Sequence, residues 1–307
     1  MHRARLIHNP NAGDGKYTND ELISLLQDKG YTITYANAKK GGWDYWDEDD
    51  DIIIVAGGDG TVRKLVKKLV RRQLIDKRFP IAVLPLGTAN NIASTLYANK
   101  EVPAVIAQWS EPHTRAMDIA RVRGIEEENF FMEGLGIGVF PKLMKEMKEQ
   151  DDSEDENAKE ELRTAQQLFA EIVSNYKPRF CHLMIDGEDF SGSYVLIEIM
   201  NMQAVGPNLE LAPRANPSDG LLDVVLVRAE EQEKLAKYAL LRSQGKEASY
   251  QFQTVQGKDI RMQWSGSLIH VDDQLLRVEK NTTVHIQLEP GLLLFYIDGD
   301  NLPQTVS

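Results

Sequence analysis

The sequence is poor in cysteine and in long apolar runs. Its 307 residues include one cysteine, Cys181, so no disulfide can form within the chain, and this fits a reducing compartment such as the cytoplasm. The N-terminus carries basic residues but no apolar stretch long enough for a signal peptide. No run approaches the roughly 20 apolar residues of a membrane span. We therefore expect a cytoplasmic protein without a transmembrane segment, whose contact with any membrane is peripheral.

Positive charge is also in deficit. Lysine and arginine number 35 against 47 acidic residues, which gives a formal net charge of −12. Such a balance argues against a nucleic-acid partner, because phosphate backbones attract basic surfaces. The hydrophobic fraction of 42% is ordinary for a globular protein. The length exceeds the usual size of one domain, so two domains are expected.

The first third of the chain alternates short strands with helices. Residues 52–56 form a continuous apolar run, which is typical of a strand buried on both faces, and residues 81–84 repeat it. Further strands are predicted at 5–8 and 31–35, with a helix at 20–29. Strands separated by helices predict a mostly parallel sheet, in which ligands bind at the carboxyl ends of the strands.

From about residue 116 strands follow one another with few helices, which predicts an antiparallel, β-rich second domain. A last strand is predicted after the Pro290-Gly291 turn. Two helices are predicted at 159–175 and 231–241. The other predicted strands cover residues 117–122, 180–185, 194–200, 222–227, 259–264, 283–288 and 292–297.

The strongest motif is GGDGT at residues 57–61, which directly follows a predicted buried strand and opens a helix. Glycines let the backbone approach a phosphate closely, and a helix N-terminus offers free N–H groups and a positive dipole end. Asp59 could orient a nucleotide or a magnesium-bound water. The structural alternative is a tight turn with a capping aspartate.

Two further loops follow strands in the same way. The segment PLGTANN at residues 85–91 again opens a helix, which Thr88 could cap while reaching a phosphate oxygen. The segment NPNAG at residues 9–13 follows the first strand. It is not a Walker A motif, because GxxxxGK[ST] does not fit there.

Together, NPNAG, GGDGT and PLGTANN resemble the catalytic domain of the diacylglycerol and sphingosine kinase family, and the bacterial lipid kinases are the nearest in length. Residues 211–223, LAPRANPSDGLLD, are similar to the family's APxAxxxDGxLD stretch. The glycine-rich segment FMEGLGIG at residues 131–138 is similar to the family's segment at the domain junction. The resemblance covers nearly the whole chain.

The resemblance implies an α/β N-terminal domain with a mostly parallel sheet, like that of NAD kinases and lipid kinases, followed by a β-sandwich-like domain. The expected bounds are 1–120, completed by 290–307, and 121–289. It implies an ATP-dependent kinase of diacylglycerol or a related lipid at a membrane surface. It also implies a Mg²⁺ ion held by Asp219 and the carbonyls of Asn216 and Leu221, whose oxygens suit this cation. The implied ATP contacts are Asn9, Pro10, Asn11, Ala12, Gly13, Gly57, Gly58, Asp59, Gly60, Thr61 and Thr88.

The chain departs from the family at the catalytic base. The family has a DGE motif late in the second domain, whose Glu takes the proton of the acceptor hydroxyl. The matching residues here are Asp272, Asp273 and Gln274. An amide cannot accept a proton as a carboxylate does. Either Asp272 or Asp273 takes that role, or activity is weak or absent; the purely structural alternative is a hairpin turn.

Two other departures concern residue 202 and the helix that follows GGDGT. Asn201 is followed by Met202 where the family commonly has glycine. Lys64 stands where the family usually carries Glu, and we expect it in the first helical turn, against the local dipole. It belongs to a basic face that either contacts anionic lipid headgroups or is solvated. That face comprises Arg63, Lys64, Lys67, Lys68, Arg71 and Arg72.

Three functions are therefore compatible with the sequence. The first is an active lipid kinase, with Asp59, Asp272 and Gln274 as the catalytic candidates. The second is a nucleotide-binding homologue that has lost turnover. The third is a kinase of a soluble substrate such as NAD, because NAD kinases share GGDGT. The acceptor lipid and the oligomeric state stay open, and a homodimer is compatible with the sequence.

Overall fold

The computed structural model describes residues 2–45, 47, 49–70, 78–110, 112–126, 128–150, 158–206, 209–246 and 251–298. The chain divides into two compact units. Unit 1 comprises Met1–Met117 and Gly291–Ser307, and unit 2 comprises Asp118–Pro290. The chain passes between the units along two strands, which are β5 (His113–Arg123) and β18 (Thr283–Ile297).

Unit 1 alternates strands with helices, as its apolar periodicity predicts. The helix α1 begins at a capping box, in which Thr18 and Glu21 satisfy each other's backbone N–H groups. The elements are β1 (His2–His8), a 3-10 helix (Ala12–Gly15), α1 (Asn19–Gln27), β2 (Tyr31–Asn37), β3 (Ile52–Gly57), α2 (Asp59–Leu69), β4 (Pro80–Pro85), α3 (Asn91–Leu96) and α4 (Val102–Gln108).

The sheet of unit 1 is parallel. Its strands lie in the order β4-β3-β1-β2, and residues Leu294 and Phe295 of β18 add a further parallel strand beside β4. All six residues of β3 are buried, which is why this strand lacks the alternation of a half-exposed one. The helix α2 presents apolar residues along one side, and three of them, Val62, Leu65 and Val66, are fully buried.

The described residues of unit 2 form mostly antiparallel strands and three α-helices. Its elements are β6 (Phe130–Phe131), β7 (Gly134–Gly138), α5 (Val139–Gln150), α6 (Ala158–Asn175), β8 (Arg179–Ile185), β9 (Glu188–Asp189), β10 (Gly192–Met200), β11 (Ala204–Val205), β12 (Leu209–Glu210), β13 (Leu222–Arg228), a 3-10 helix (Ala229–Glu231), α7 (Gln232–Ser243), β14 (Gln253–Gly257), β15 (Asp259–Trp264), β16 (Leu268–Val271) and β17 (Gln274–Arg277).

Two hydrophobic layers flank the strand β10. Ile197 and Ile199 on one face pack against apolar residues of β8, β15 and β18, and this contact makes the unit sandwich-like. Leu196 and Met200 on the other face pack against α5, α6 and α7. The strand order β17-β16-β7-β10-β8-β15-β18 runs through the unit, with β13 beside β10. The predicted fold class is confirmed, with an α/β unit and a β-sandwich-like unit.

One predicted strand boundary is wrong. Residues 283–288 and 292–297 were expected to be separate strands on either side of a Pro-Gly turn, but they form the single strand β18. Gly291 takes a positive φ of 61°, and it lies between the residues that pair with β15 and those that pair with β4. The strand therefore changes partner at this point without ending.

Candidate active site

Three loops follow three neighbouring parallel strands in unit 1. The backbone N–H of Asn9, after β1, donates to the carbonyl of Ala56 in β3 at 2.9 Å, and that of Leu86, after β4, donates to the carbonyl of Gly57 at 3.1 Å. The loops after β1, β3 and β4 therefore start at the same edge of the sheet. This is the edge at which open α/β sheets bind ligands.

The loops approach one another through glycines. A Cβ atom on Gly87 would lie 2.5 Å from the Cα of Gly58, and one on Gly13 would lie 2.5 Å from the carbonyl oxygen of Leu86. Gly13 also takes a positive φ of 59°, which side chains disfavour. Glycine is therefore required at these two positions for the loops to come this close. Glycine-rich loops that lead into a helix N-terminus commonly bind anions.

Asp59 connects the second loop to the third. Its two carboxylate oxygens accept hydrogen bonds from the backbone N–H groups of Asn91 and Ile92, at 2.9 and 3.0 Å. Those groups begin α3, so Asp59 supplies the cap that a helix N-terminus requires. The expectation that Thr88 caps this helix is wrong, because Thr88 is exposed and the N-cap residue is Asn90, in a left-handed conformation.

The remaining predicted nucleotide contacts all lie on these loops. Asn9 Nδ2 is 3.5 Å from Thr61 Oγ1, which joins the first loop to the start of α2. Thr61 and Gly57 are buried. The half-buried or exposed ones, which a ligand could reach, are Asn9, Pro10, Asn11, Ala12, Gly13, Gly58, Asp59, Gly60 and Thr88.

The predicted basic face of α2 needs two corrections. Lys64 is the sixth residue of the helix, which starts at Asp59, so it lies in the second turn and not in the first. Arg63 is buried, with 5% of its surface exposed, so it cannot belong to a solvated face. Lys64 and Lys68 are exposed, and Lys68 forms an ion pair with Asp44 at 2.7 Å. Residues 71 and 72 lie outside the described residues.

In unit 2, the predicted magnesium ligands lie on one tight loop. The N–H groups of Ser218 and Asp219 donate to the carbonyl of Asn216 at 2.7 and 3.2 Å. The Asp219 carboxylate accepts from the N–H of Leu221 at 2.9 Å and is exposed. The chain therefore folds back on itself and brings Asn216, Asp219 and Leu221 together.

The donor set of this loop suits a hard cation. One carboxylate and backbone carbonyls are oxygen ligands of the kind that Mg²⁺ takes, usually with several waters. A second carboxylate, Asp223, lies near Asp219. Burial raises the pKa of the Asp223 carboxyl, and the negative charge of Asp219 raises it further. Within the part of the chain that the structure describes, no group of three His, Cys, Asp or Glu side chains could hold a metal. A site here would thus depend on carbonyls.

Asp118 anchors this loop, and sequence analysis did not single it out. It is buried, its carboxylate accepts from the N–H of Gly220 at 2.9 Å, and its own N–H donates to the carbonyl of Pro217 at 2.7 Å. The signal was present, because an aspartate between apolar residues in the predicted strand 117–122 needs a polar partner if it is buried. Asn201 continues the network by donating to the carbonyls of Asp118 and Met132 at 3.0 and 2.9 Å.

Asp272 and Asp273 form the turn of the hairpin between β16 and β17. Asp272 is 5% exposed, and its carboxylate accepts hydrogen bonds from the backbone N–H groups of Met132, Glu133 and Gly134 at 2.8–3.2 Å. These donors stabilise the anion and hold the carboxylate against residues 132–134. Asp273 is exposed and Gln274 is half-buried.

Comparison with known proteins agrees with this architecture. The family model of the diacylglycerol kinase catalytic domain matches residues 3–122. The model of the YegS C-terminal NAD kinase beta sandwich-like domain matches residues 155–297. Residues 3–122 thus carry a diacylglycerol kinase catalytic domain, and residues 155–297 carry a domain of the YegS C-terminal type. The resemblance drawn from the three loop motifs is thereby confirmed, and it supports a kinase of the lipid kinase class.

Relatives of the chain carry names of the same class. A diacylglycerol kinase of Bacillus subtilis is 25% identical over 262 residues, which are 80% of each chain. A YegS-like protein of Shewanella frigidimarina, named a probable lipid kinase, is 28% identical over 177 residues, 58% of this chain and 54% of that one. A crystal structure of a diacylglycerol kinase from Bacillus anthracis has a TM-score of 0.71 at 19% identity, with 98% of both chains covered. That structure supports the fold.

No helix in the described parts of the chain is long and apolar enough to cross a membrane.

Proposed function

We propose that the protein transfers the γ-phosphate of ATP to a hydroxyl group of diacylglycerol or a related lipid. The observation that carries this proposal is the close approach of three loops at one edge of unit 1, where Gly13, Gly58 and Gly87 lie against backbone atoms of neighbouring loops. A nucleoside triphosphate is the ligand that such an edge suits, because its phosphates need many N–H donors at short range. The relatives named diacylglycerol kinase and lipid kinase support a lipid acceptor.

Unit 1 would bind the phosphates through the loops after β1, β3 and β4. The helix α2 begins directly after Gly58, so its N-terminus lies at this edge of the sheet. The dipole of this eleven-residue helix favours negative charge at that end. Asp59 would act through position, since its carboxylate holds α3 against the GGDGT loop. Phosphoryl transfer depends mainly on such positioning and on electrostatic stabilisation.

The loop at residues 216–221 would hold Mg²⁺ through Asp219 and the carbonyls of Asn216 and Leu221. When bound, the ion would offset the negative charge of this loop and of Asp223 beside it. Asp118 fixes this loop through Gly220 and Pro217. Its role is to position the loop.

We assign proton uptake to Asp273 in preference to Asp272. The Asp272 carboxylate is buried and already accepts three backbone hydrogen bonds, whereas Asp273 is exposed in the same turn. A general base must be able to reach the proton that it removes. Gln274 occupies the position of the family's catalytic Glu and cannot take a proton, but its amide could bind the acceptor.

The test is transfer of labelled phosphate from ATP, with Mg²⁺, to lipids in mixed micelles. Diacylglycerol, monoacylglycerol and sphingosine would be compared with NAD and with a control that lacks any acceptor. We expect a labelled product with a lipid and none with NAD. Label on NAD alone would replace the proposal with a kinase of a soluble acceptor.

Gln274 favours a second candidate, a nucleotide-binding homologue without turnover. ATP binding measured by calorimetry, together with no transfer to any acceptor, would support it. The variant Gln274→Glu then separates the cases, because regained transfer would identify this position as the one that was lost.

A further inference from the structure

A charged pair lies fully buried in unit 2. His270 Nε2 is 2.5 Å from Glu198 Oε1, and neither side chain is exposed. Glu198 lies on β10 and His270 on β16, within apolar stretches of sequence. Both residues lie on the face of the sheet that packs against the helices. There the ring of Phe140 packs edge-on against the imidazole, with 4.6 Å between the ring centroids. The pair is therefore surrounded largely by hydrocarbon.

A glycine on the strand between them allows the two side chains to meet. Glu198 and His270 both pair with Gly136 of β7, one on each side. A Cβ atom on Gly136 would lie 2.0 Å from Glu198 Oε2. Any larger residue at position 136 would push the carboxylate away. The three residues thus form one row across three strands, with the middle side chain absent.

The imidazole is held at both nitrogens. Nδ1 lies 3.0 Å from the backbone carbonyl oxygen of Asp272. A carbonyl only accepts, so Nδ1 carries a proton and donates it. Burial alone lowers the pKa of His270, but the Glu198 carboxylate and the hydrogen bonds outweigh burial and raise it. Both nitrogens therefore donate, one to each partner.

Stability alone does not account for such a pair. Placing two charges in an apolar layer costs desolvation energy, and apolar residues of the same size often stabilise a core at least as well. The position of the pair points to another role. His270 is two residues before Asp272, whose φ of 51° is unusual for a residue with a side chain. The carbonyl that His270 fixes belongs to that strained residue.

Asp272 passes this constraint on to a second segment. Its N–H donates to the carbonyl of Gly134 at 2.8 Å, while its carboxylate accepts from Met132, Glu133 and Gly134. These hydrogen bonds fix the backbone and the side chain of Asp272. They therefore fix the direction in which the chain continues through Asp273 and Gln274. Without the Nδ1 donor, the Asp272 peptide could rotate.

We propose that Glu198 and His270 are positioning residues, which act through the Asp272 carbonyl to set the turn that presents Asp273 and Gln274. The effect of the pair on catalysis rests on the proposed lipid kinase function. Its effect on the turn does not depend on that function, so the two claims can be tested separately.

The test compares two double variants, Glu198→Gln/His270→Asn and Glu198→Gln/His270→Gln. Both remove the buried charges. The amide nitrogen of Asn lies where Nδ1 of histidine lies, so Asn keeps the donor to Asp272 and loses contact with position 198. Gln keeps the contact with position 198 and loses the donor to Asp272. A purely structural role predicts that Gln, which keeps its buried partner, is the better substitute in every measurement.

We expect the opposite order at the turn. Amide exchange at Met132, Glu133 and Gly134 should be about tenfold faster with Gln than with Asn, and kcat for lipid phosphorylation about tenfold lower. KM for ATP should be equal, and the melting temperature of the Asn variant should be no higher. Equal exchange and equal kcat in the two variants would overturn the proposal. If the wild-type protein phosphorylates no lipid, the proposed function fails and amide exchange alone decides the role of the pair.

Discussion

Replacing Asp59 tests whether the GGDGT motif works through the loop that follows β4. The Asp59 carboxylate joins the start of α2 to the first two N–H groups of α3, over 32 and 33 residues of sequence. Asp59→Asn keeps the shape and leaves one acceptor oxygen. Its NH₂ group would face the other N–H, so one charge-assisted hydrogen bond is replaced by two opposed donors.

The expected cost follows from these contacts. A hydrogen bond to a charged group contributes about 1.5–3 kcal/mol, and a lost N-cap costs about 0.5–2 kcal/mol. We expect a loss of about 2 kcal/mol, which lowers the melting temperature of unit 1 by roughly 4–8 °C. Because the third loop loses its tie to the second, phosphoryl transfer should fall at least tenfold as well.

The assay is thermal unfolding combined with amide exchange at Asn91 and Ile92, followed by phosphate transfer. Asp28→Asn is the matched control, since this exposed aspartate lies at the end of α1 and its replacement should change stability by less than about 0.5 kcal/mol. Wild-type melting and wild-type exchange at both amides in Asp59→Asn would refute the assigned role of the carboxylate.

Three further predictions concern the two units separately. Asp273→Asn should lower kcat about a hundredfold with an unchanged KM for ATP, and Gln274→Glu should raise kcat; wild-type kcat in the first would exclude Asp273 as the base. Gly87→Ala should weaken ATP binding measured by calorimetry, because the new Cβ would lie 2.5 Å from Gly58 Cα; unchanged affinity would contradict the glycine edge. The pKa of His270 is raised in the folded protein, so protonation of this side chain stabilises the fold. The contribution is complete below the unfolded-state pKa of about 6.5 and is lost as pH rises through the folded-state pKa. The difference in unfolding free energy between wild type and His270→Gln should therefore shrink above pH 6.5, and a constant difference would contradict the charged pair.

Elements that depend on local pattern were predictable. The run at residues 52–56 is apolar throughout because β3 is buried on both faces, and it extends by one residue to Gly57. The strand at 259–264 alternates buried and less buried residues and has the predicted bounds. In both cases the side-chain period reports the environment directly.

Features that depend on distant partners were not predictable. The sequence places Asp59 where it could cap its own turn, yet it caps a helix more than thirty residues later. The strand β7 was missed because its glycines are poor strand formers, although Gly136 is needed there to admit Glu198. Arg63 lies in a basic run, and only the packing of α2 shows that it is buried.

The most direct test of the central claim is the rate of lipid-dependent phosphate transfer by the wild-type protein, measured with labelled ATP and Mg²⁺ in diacylglycerol micelles. We expect a labelled lipid product that forms at a rate proportional to the protein concentration and is absent without lipid. Confirmed ATP binding without a labelled product from diacylglycerol or any related lipid would contradict it.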